Sequence, residues 1–140
     1  MICIAAVDDK NGLSFCGRRQ SKDRLLRERL LALCGAAPLW MNAYTAGQFS
    51  PEEAGRLRIA EDFLEQAGQG EYCFLENLPA APHLQKIEKI ILCRWNRRYP
   101  ADFYFDIALS APEWKWERTE EFPGSSHEKI TMEVYRHENF

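Results

Sequence analysis

The densest chemistry in this chain is basic. Residues 18–29 hold Arg18, Arg19, Lys22, Arg24, Arg27 and Arg29 against only Asp23 and Glu28, a local charge of +4, and Arg94, Arg97 and Arg98 form a second cluster. If the two clusters converge in space, they make an anion site for a phosphorylated metabolite, a nucleotide or an RNA backbone. The plainer reading of the same residues is a solvated helix face, balanced by the acidic segment Glu113–Glu128. Trp95, Tyr99, Tyr104, Trp114 and Trp116 interleave with charges, as base-stacking side chains do. Aromatics on strands, however, serve more often as core or cross-strand pairs. Ser125-Ser126-His127 sets hydroxyls beside an imidazole, the pairing from which a nucleophile can be made. No acid is in evident support, and Gly124-Ser125-Ser126 is ordinary hairpin-turn chemistry, so catalysis is not expected there.

Cys3, Cys16, Cys34, Cys73 and Cys93 stand singly, without a C-x-x-C pair. Their odd number, and the apolar runs around Cys3, Cys73 and Cys93, predict reduced, buried thiols and a cytoplasmic setting. His83, His127 and His137 are scattered without ligand spacing, so no metal is expected. With 140 residues the chain reads as one domain over 1–140, and 46% hydrophobic against 28% charged residues excludes wholesale disorder. Apolar runs such as Ile90–Cys93 fall far short of the roughly 20 residues a membrane helix needs. Met1–Val7 lacks a basic start and runs directly into Asp8-Asp9, which argues against a secretory leader. A net charge of −3 excludes a globally basic nucleic-acid binder, while leaving room for a local basic face.

These residues need a frame. Met1–Val7 reads as a strand buried on both faces, stopped by the turn residues Asp8–Gly12 and followed by a polar loop to about Gln20. Ser21 is placed to cap a helix with Asp23 in its first turn, a stripe at Leu25, Leu26, Leu30, Leu31, Leu33 and Cys34, and Gly35 as its end. Ala37–Met41 reads as a second strand, Ser50-Pro51 as a helix start and Leu57–Ala60 as a brief strand. A helix over Ile59–Ala67, a strand at Tyr72–Leu75, a short helical piece after Pro79 and Pro82, and a strong strand over Ile87–Trp95 follow. Phe103–Phe105, Trp114–Trp116 and Ile130–Tyr135 mix aromatics with polar residues, which predicts an antiparallel meander or hairpin. The whole is an α/β layered mixed sheet flanked by helices, with an antiparallel C-terminal hairpin.

The order and content of these pieces resemble dihydrofolate reductase over nearly the whole chain. Ile4–Gly12 looks like that family's first strand and the loop after it, and Asp23, eleven residues beyond Gly12, falls where the family places its active-site carboxylate. Leu39–Thr45 is similar to the strand ending M-G-R-x-T. Ile87–Asn96 with Tyr99–Asp106 is similar to the strand, loop and D-x-x-F-P segment, and Ser126–Arg136 to the final strand. By this resemblance Asp23 is the catalytic carboxylate, Ile4, Arg27 and Cys93 stand at substrate-binding positions, and Thr45 at a cofactor-binding one.

The departures fall in the pocket. Cys93 replaces a hydroxyl partner of the carboxylate with a poor donor, and Arg27 replaces an aromatic that would stack on a pterin. Gly17-Arg18-Arg19 replaces a Pro-Trp wall, and Met41-Asn42-Ala43-Tyr44-Thr45 lacks the motif's phosphate-pairing Arg. Leu75 and Glu76 stand where the family's Gly-Gly lets backbone approach a pyrophosphate. The stretch from Thr45 to Tyr72 is short for the family, which implies that a strand holding the adenosine half is missing. The expectation is a dihydrofolate-reductase-like protein without a recognisable NADPH site, binding a small ligand near Asp23 with Arg18 and Arg19 as anion-binding groups. A diverged NADPH-dependent pterin reductase using Asp23, and a nucleic-acid module using the 18–29 face, are the alternatives.

Overall fold

The computed structural model describes all 140 residues. The apolar start becomes β1 (Ile2–Val7), with Cys3, Ala5 and Val7 facing one core layer and Ile2 and Ile4 the other. A strand buried on both faces takes the centre of a sheet. Accordingly β1 pairs in parallel with β6 (Tyr72–Phe74) on one side and β7 (Lys89–Arg94) on the other. Beyond β6 lie β4 (Leu39–Met41) and β5 (Leu57–Ile59), also parallel. Beyond β7 lie β10 (Ile130–His137) and β9 (Trp114–Phe122), both antiparallel to their neighbours, so the order is β5-β4-β6-β1-β7-β10-β9. The segment between Thr45 and Tyr72 supplies one strand, β5.

Helix α1 (Arg24–Cys34) covers one face, burying Leu26, Leu30, Leu31 and Cys34 against Ile4, Phe74, Ile91 and Met132. Each fully buried leucine contributes about 2 kcal/mol of transfer free energy. Its cap is Asp23, whose side chain accepts from the Leu26 N–H, and not Ser21. Gly35, at φ 56°, ends the helix in a conformation that costs other residues strain. The opposite face is closed by α4 (Phe63–Gln66), much shorter than the expected 59–67 helix, and by Phe105, Ile107 and Trp114. Two further short helices, α2 (Ala43–Ala46) and α3 (Pro51–Ala54), precede β5, and α3 carries a capping box between Ser50 and Glu53. A 3₁₀ helix at Ala81–Lys86 follows the prolines.

Residues 12–19 are not a loop. They form a hairpin of β2 (Gly12–Phe15) and β3 (Arg18–Arg19), turning through Cys16 and Gly17, both at positive φ as a two-residue hairpin turn requires. Phe103-Tyr104, expected in the C-terminal meander, is β8 of this small sheet and pairs with β2. Cys16 is correspondingly exposed, whereas the other four thiols are buried. Burial pushes Cys34, Cys73 and Cys93 up to about 12 and Cys3 higher still, so these four are inert at neutral pH. No helix is long and apolar enough to cross a membrane.

Candidate functional site

The five parallel strands end on one edge of the sheet, with β1 between later strands on both sides, and crevices for ligands form outside such an edge. Just past the strand ends stand Asp8, Asn42, Glu76 and Trp95. The hairpin β2–β3 is laid over this edge by Arg19. Its Nε donates to both oxygens of Glu76 (3.1 and 3.3 Å), and its Nη2 donates to Glu76 Oε1 (3.2 Å) and the Tyr44 carbonyl (2.9 Å). The guanidinium lies 4.4 Å from the Tyr44 ring centroid, and the Arg19 backbone N–H donates to the Tyr44 hydroxyl at 2.9 Å. Glu76 is 8% exposed and faces this clamp. Asn42 caps α2 through the Thr45 N–H and donates to Asn77 at 2.8 Å. Thr45 is not a loop residue: it lies within α2, buried, with its Oγ1 unpartnered.

The other half of the edge, past β1 and β7, is built around Asp23. Its carboxylate accepts from the backbone N–H of Leu26 (3.1 Å), Ser125 (2.9 Å) and Ser126 (2.8 Å) and from the Ser125 hydroxyl (3.1 Å), while the Ser126 hydroxyl donates to the Lys22 carbonyl at 2.6 Å. His127 Nδ1 stands 3.2 Å from Oδ2. A carboxylate offers about four lone-pair sites, so all of them are taken by the chain's own donors. Burial alone would raise this carboxyl. The Ser125 and Ser126 N–H groups, His127 and the Leu26 N–H outweigh it and hold the group well below the usual carboxylate range. The turn reaches Asp23 because residue 124 is glycine: a Cβ there would lie 2.5 Å from Asp23 Oδ2 and 2.7 Å from the His127 carbonyl.

An ionised carboxylate only accepts, so the hydrogen-bond network places a proton on His127 Nδ1. In the neutral ring Nε2 is then free to accept from the Tyr99 hydroxyl, 2.9 Å away. Trp95 stacks on the imidazole at 4.3 Å between centroids. Asp23, His127 and Tyr99 thus form a carboxylate–imidazole–phenol chain along which a proton can be held or passed. Tyr99 is fixed at its other end as well, its backbone N–H donating to Asp8 at 3.4 Å. Burial would raise Asp8, but N–H groups of Gly12, Lys10 and Tyr99 and the Gln20 amide hold it low. A hollow of about 420 Å³ opens beside this chain, between Trp95, Asn96 and Arg97 on one wall and Ser126, His127, Glu128 and Lys129 on the other.

The remaining candidates are dispersed. Ile4 and Cys93 are fully buried in the core beneath the edge. Arg27 is half-buried and not on a wet helix face, and its Nε is buried without a partner. Arg18 is exposed at the start of β3. Besides Arg19, three of the nine residues in the basic clusters are neutralised by carboxylates of the chain. Arg24 pairs with Glu28, Arg29 with Glu120 (2.7 Å) and Arg94 with Glu133 (2.8 Å). An acid does stand behind the Ser-Ser-His motif, contrary to the sequence reading, and it is Asp23. No spacing rule finds a pair 104 residues apart; the only local signal for His127 was the motif itself.

No family model matches the chain, and no curated protein matches it. Among solved structures it is similar to dihydrofolate reductase from Enterococcus faecalis, complexed with NADP(H) and RAB-propyl. The TM-score is 0.66 at 12% identity, over 97% of this chain and 95% of that one. A likeness at this identity speaks for architecture and not for activity: the chain has the dihydrofolate reductase fold.

Proposed function

We propose that this protein is a small-ligand binder on a dihydrofolate-reductase-like scaffold that does not use a nicotinamide coenzyme, its ligand lying beside Asp23 in the hollow walled by Trp95 and His127. The observation that carries this reading is the Arg19–Glu76–Tyr44 clamp. By the resemblance, Glu76 stands where glycine admits a pyrophosphate; here that position presents a carboxylate already neutralised from within. Phosphate oxygens would have to break this ion pair and then face Glu76 itself. The saturation of Asp23 supports the same reading, since a carboxylate that must receive a heterocycle's N–H groups needs free lone pairs.

Fluorescence of NADPH titrated with the protein tests it. The expected result is no saturable change up to millimolar coenzyme. Micromolar binding that weakens in Asn42→Ala or Glu76→Ala would overturn the reading and favour a reductase employing Asp23, as would coenzyme oxidation dependent on dihydrofolate.

A further inference from the structure

The hollow between Trp95–Arg97 and Ser126–Lys129 has the features of a built site. Its volume, about 420 Å³, suits a small metabolite. Both walls are held in place. Asn96 sits at φ 58°, a left-handed conformation that asparagine tolerates, and its amide donates to the Lys129 carbonyl (3.0 Å) and Thr131 Oγ1 (2.9 Å). His127 is fixed by Asp23, Tyr99 and the Trp95 stack.

The donors are left over from folding. Arg97 is exposed and takes part in none of the protein's ion pairs. Trp95 is 4% exposed, and its indole N–H, like that of the buried Trp114, has no acceptor in the protein, whereas those of Trp40 and Trp116 reach Glu71 and Thr119. Lys129 adds a second cation, shared with Glu121, and Glu128 is the one acid on the lining. Arg97 is thus the one cation of the lining that no carboxylate of the protein neutralises.

We propose that this hollow binds the phosphate group of a small metabolite, with Arg97 as its principal cation and the Trp95 indole N–H as a fixed donor. The proposal deepens the reading that the ligand lies in the hollow walled by Trp95 and His127. A planar guanidinium suits phosphate because it offers paired N–H donors to two oxygens at once. The wall behind it, an aromatic stacked on imidazole, supplies apolar area for the group that carries the phosphate.

Nitrogen-15 NMR of the whole protein tests this, with inorganic phosphate, glycerol phosphate and acetate titrated at constant ionic strength. The expected result is a saturable shift of the Trp95 indole and of the Asn96 and Arg97 amides with either phosphate. Arg97→Glu should weaken it by about tenfold or more, and Arg18→Glu by less than about twofold. Arg97 is exposed, so Arg97→Glu should keep the far-ultraviolet dichroism of the parent, and the milder Arg97→Gln provides a second reading. Saturation by glycerol phosphate alone assigns the site to phosphate esters, whereas saturation by both assigns it to the phosphate group itself. Absence of saturation, equal losses in the two charge reversals, or acetate binding as tightly as phosphate would each overturn the proposal. NADPH added to the same sample reports separately: shifts at Asn42, Tyr44 and Glu76 would defeat the reading of the coenzyme cleft and leave this site standing.

Discussion

One carboxylate, that of Asp23, joins two segments far apart in the chain: the start of α1 and the turn Ser125–His127. Asp23→Asn keeps the shape but sets an amide against backbone N–H donors, and should cost about 3 kcal/mol in urea unfolding at pH 7. The pH dependence has a defined sign. An unfolded aspartate titrates near about 3.9 and the folded group lies lower, so its contribution is complete above the unfolded value and is lost as pH falls towards the folded one. Between roughly pH 5 and pH 2 the parent should therefore lose stability more steeply than Asp23→Asn. Gly124→Ala tests the close approach of the turn. With the added methyl meeting a carboxylate and a carbonyl that are both held in hydrogen bonds, it should lower the unfolding free energy by about 2 kcal/mol. At this scale the sequence was informative about residue type and silent about partner. Asp23 and His127 were both conspicuous, but a contact spanning 104 positions leaves no periodicity to read.

The hairpin β2–β3 is tied to the strand ends chiefly through Arg19, which bonds Glu76 and Tyr44. Arg19→Ala removes the clamp and leaves Glu76 buried without its cation, which should cost about 2 kcal/mol. Hydrogen exchange is the sharper readout. Amides of residues 12–20 should lose protection in that variant while those of β1 and β7 keep theirs. Elements with strong periodicity were legible from the sequence: β1, α1, β7 and the β9–β10 hairpin all stand close to where the apolar pattern put them. The hairpin was not, because the alternation in Gly12–Arg19 is confined to Leu13-Ser14-Phe15 and its turn uses Cys16, a residue without turn propensity, in a left-handed conformation. Phe103-Tyr104 was misplaced for a related reason: a two-residue strand carries no record of which sheet it joins. Charge counting along the chain named the acidic segment that supplies Glu120 to Arg29, but it cannot see Glu76 and Glu133 arriving at Arg19 and Arg94.

Across the whole molecule, the parallel half of the sheet gives one edge with two unlike sides. Past β4 and β6 stand Arg19 and Tyr44, bonded to each other, with Arg19 also bonded to Glu76; past β1 and β7 lies the hollow beside His127. The architecture was legible because weak motifs occurred in order at spacings similar to those of dihydrofolate reductase, and the solved structure of that enzyme carries the same fold. Its chemistry does not follow, because architecture depends on the buried alternation of strands and activity on a few exposed groups at their ends. The most direct measurement is an isotope-resolved titration of the wild-type protein with NADPH, following the amides of Asn42, Tyr44 and Glu76. The account predicts no saturable shift at these positions up to millimolar coenzyme, and saturation in the micromolar range with the Arg19–Glu76 pair displaced would contradict it.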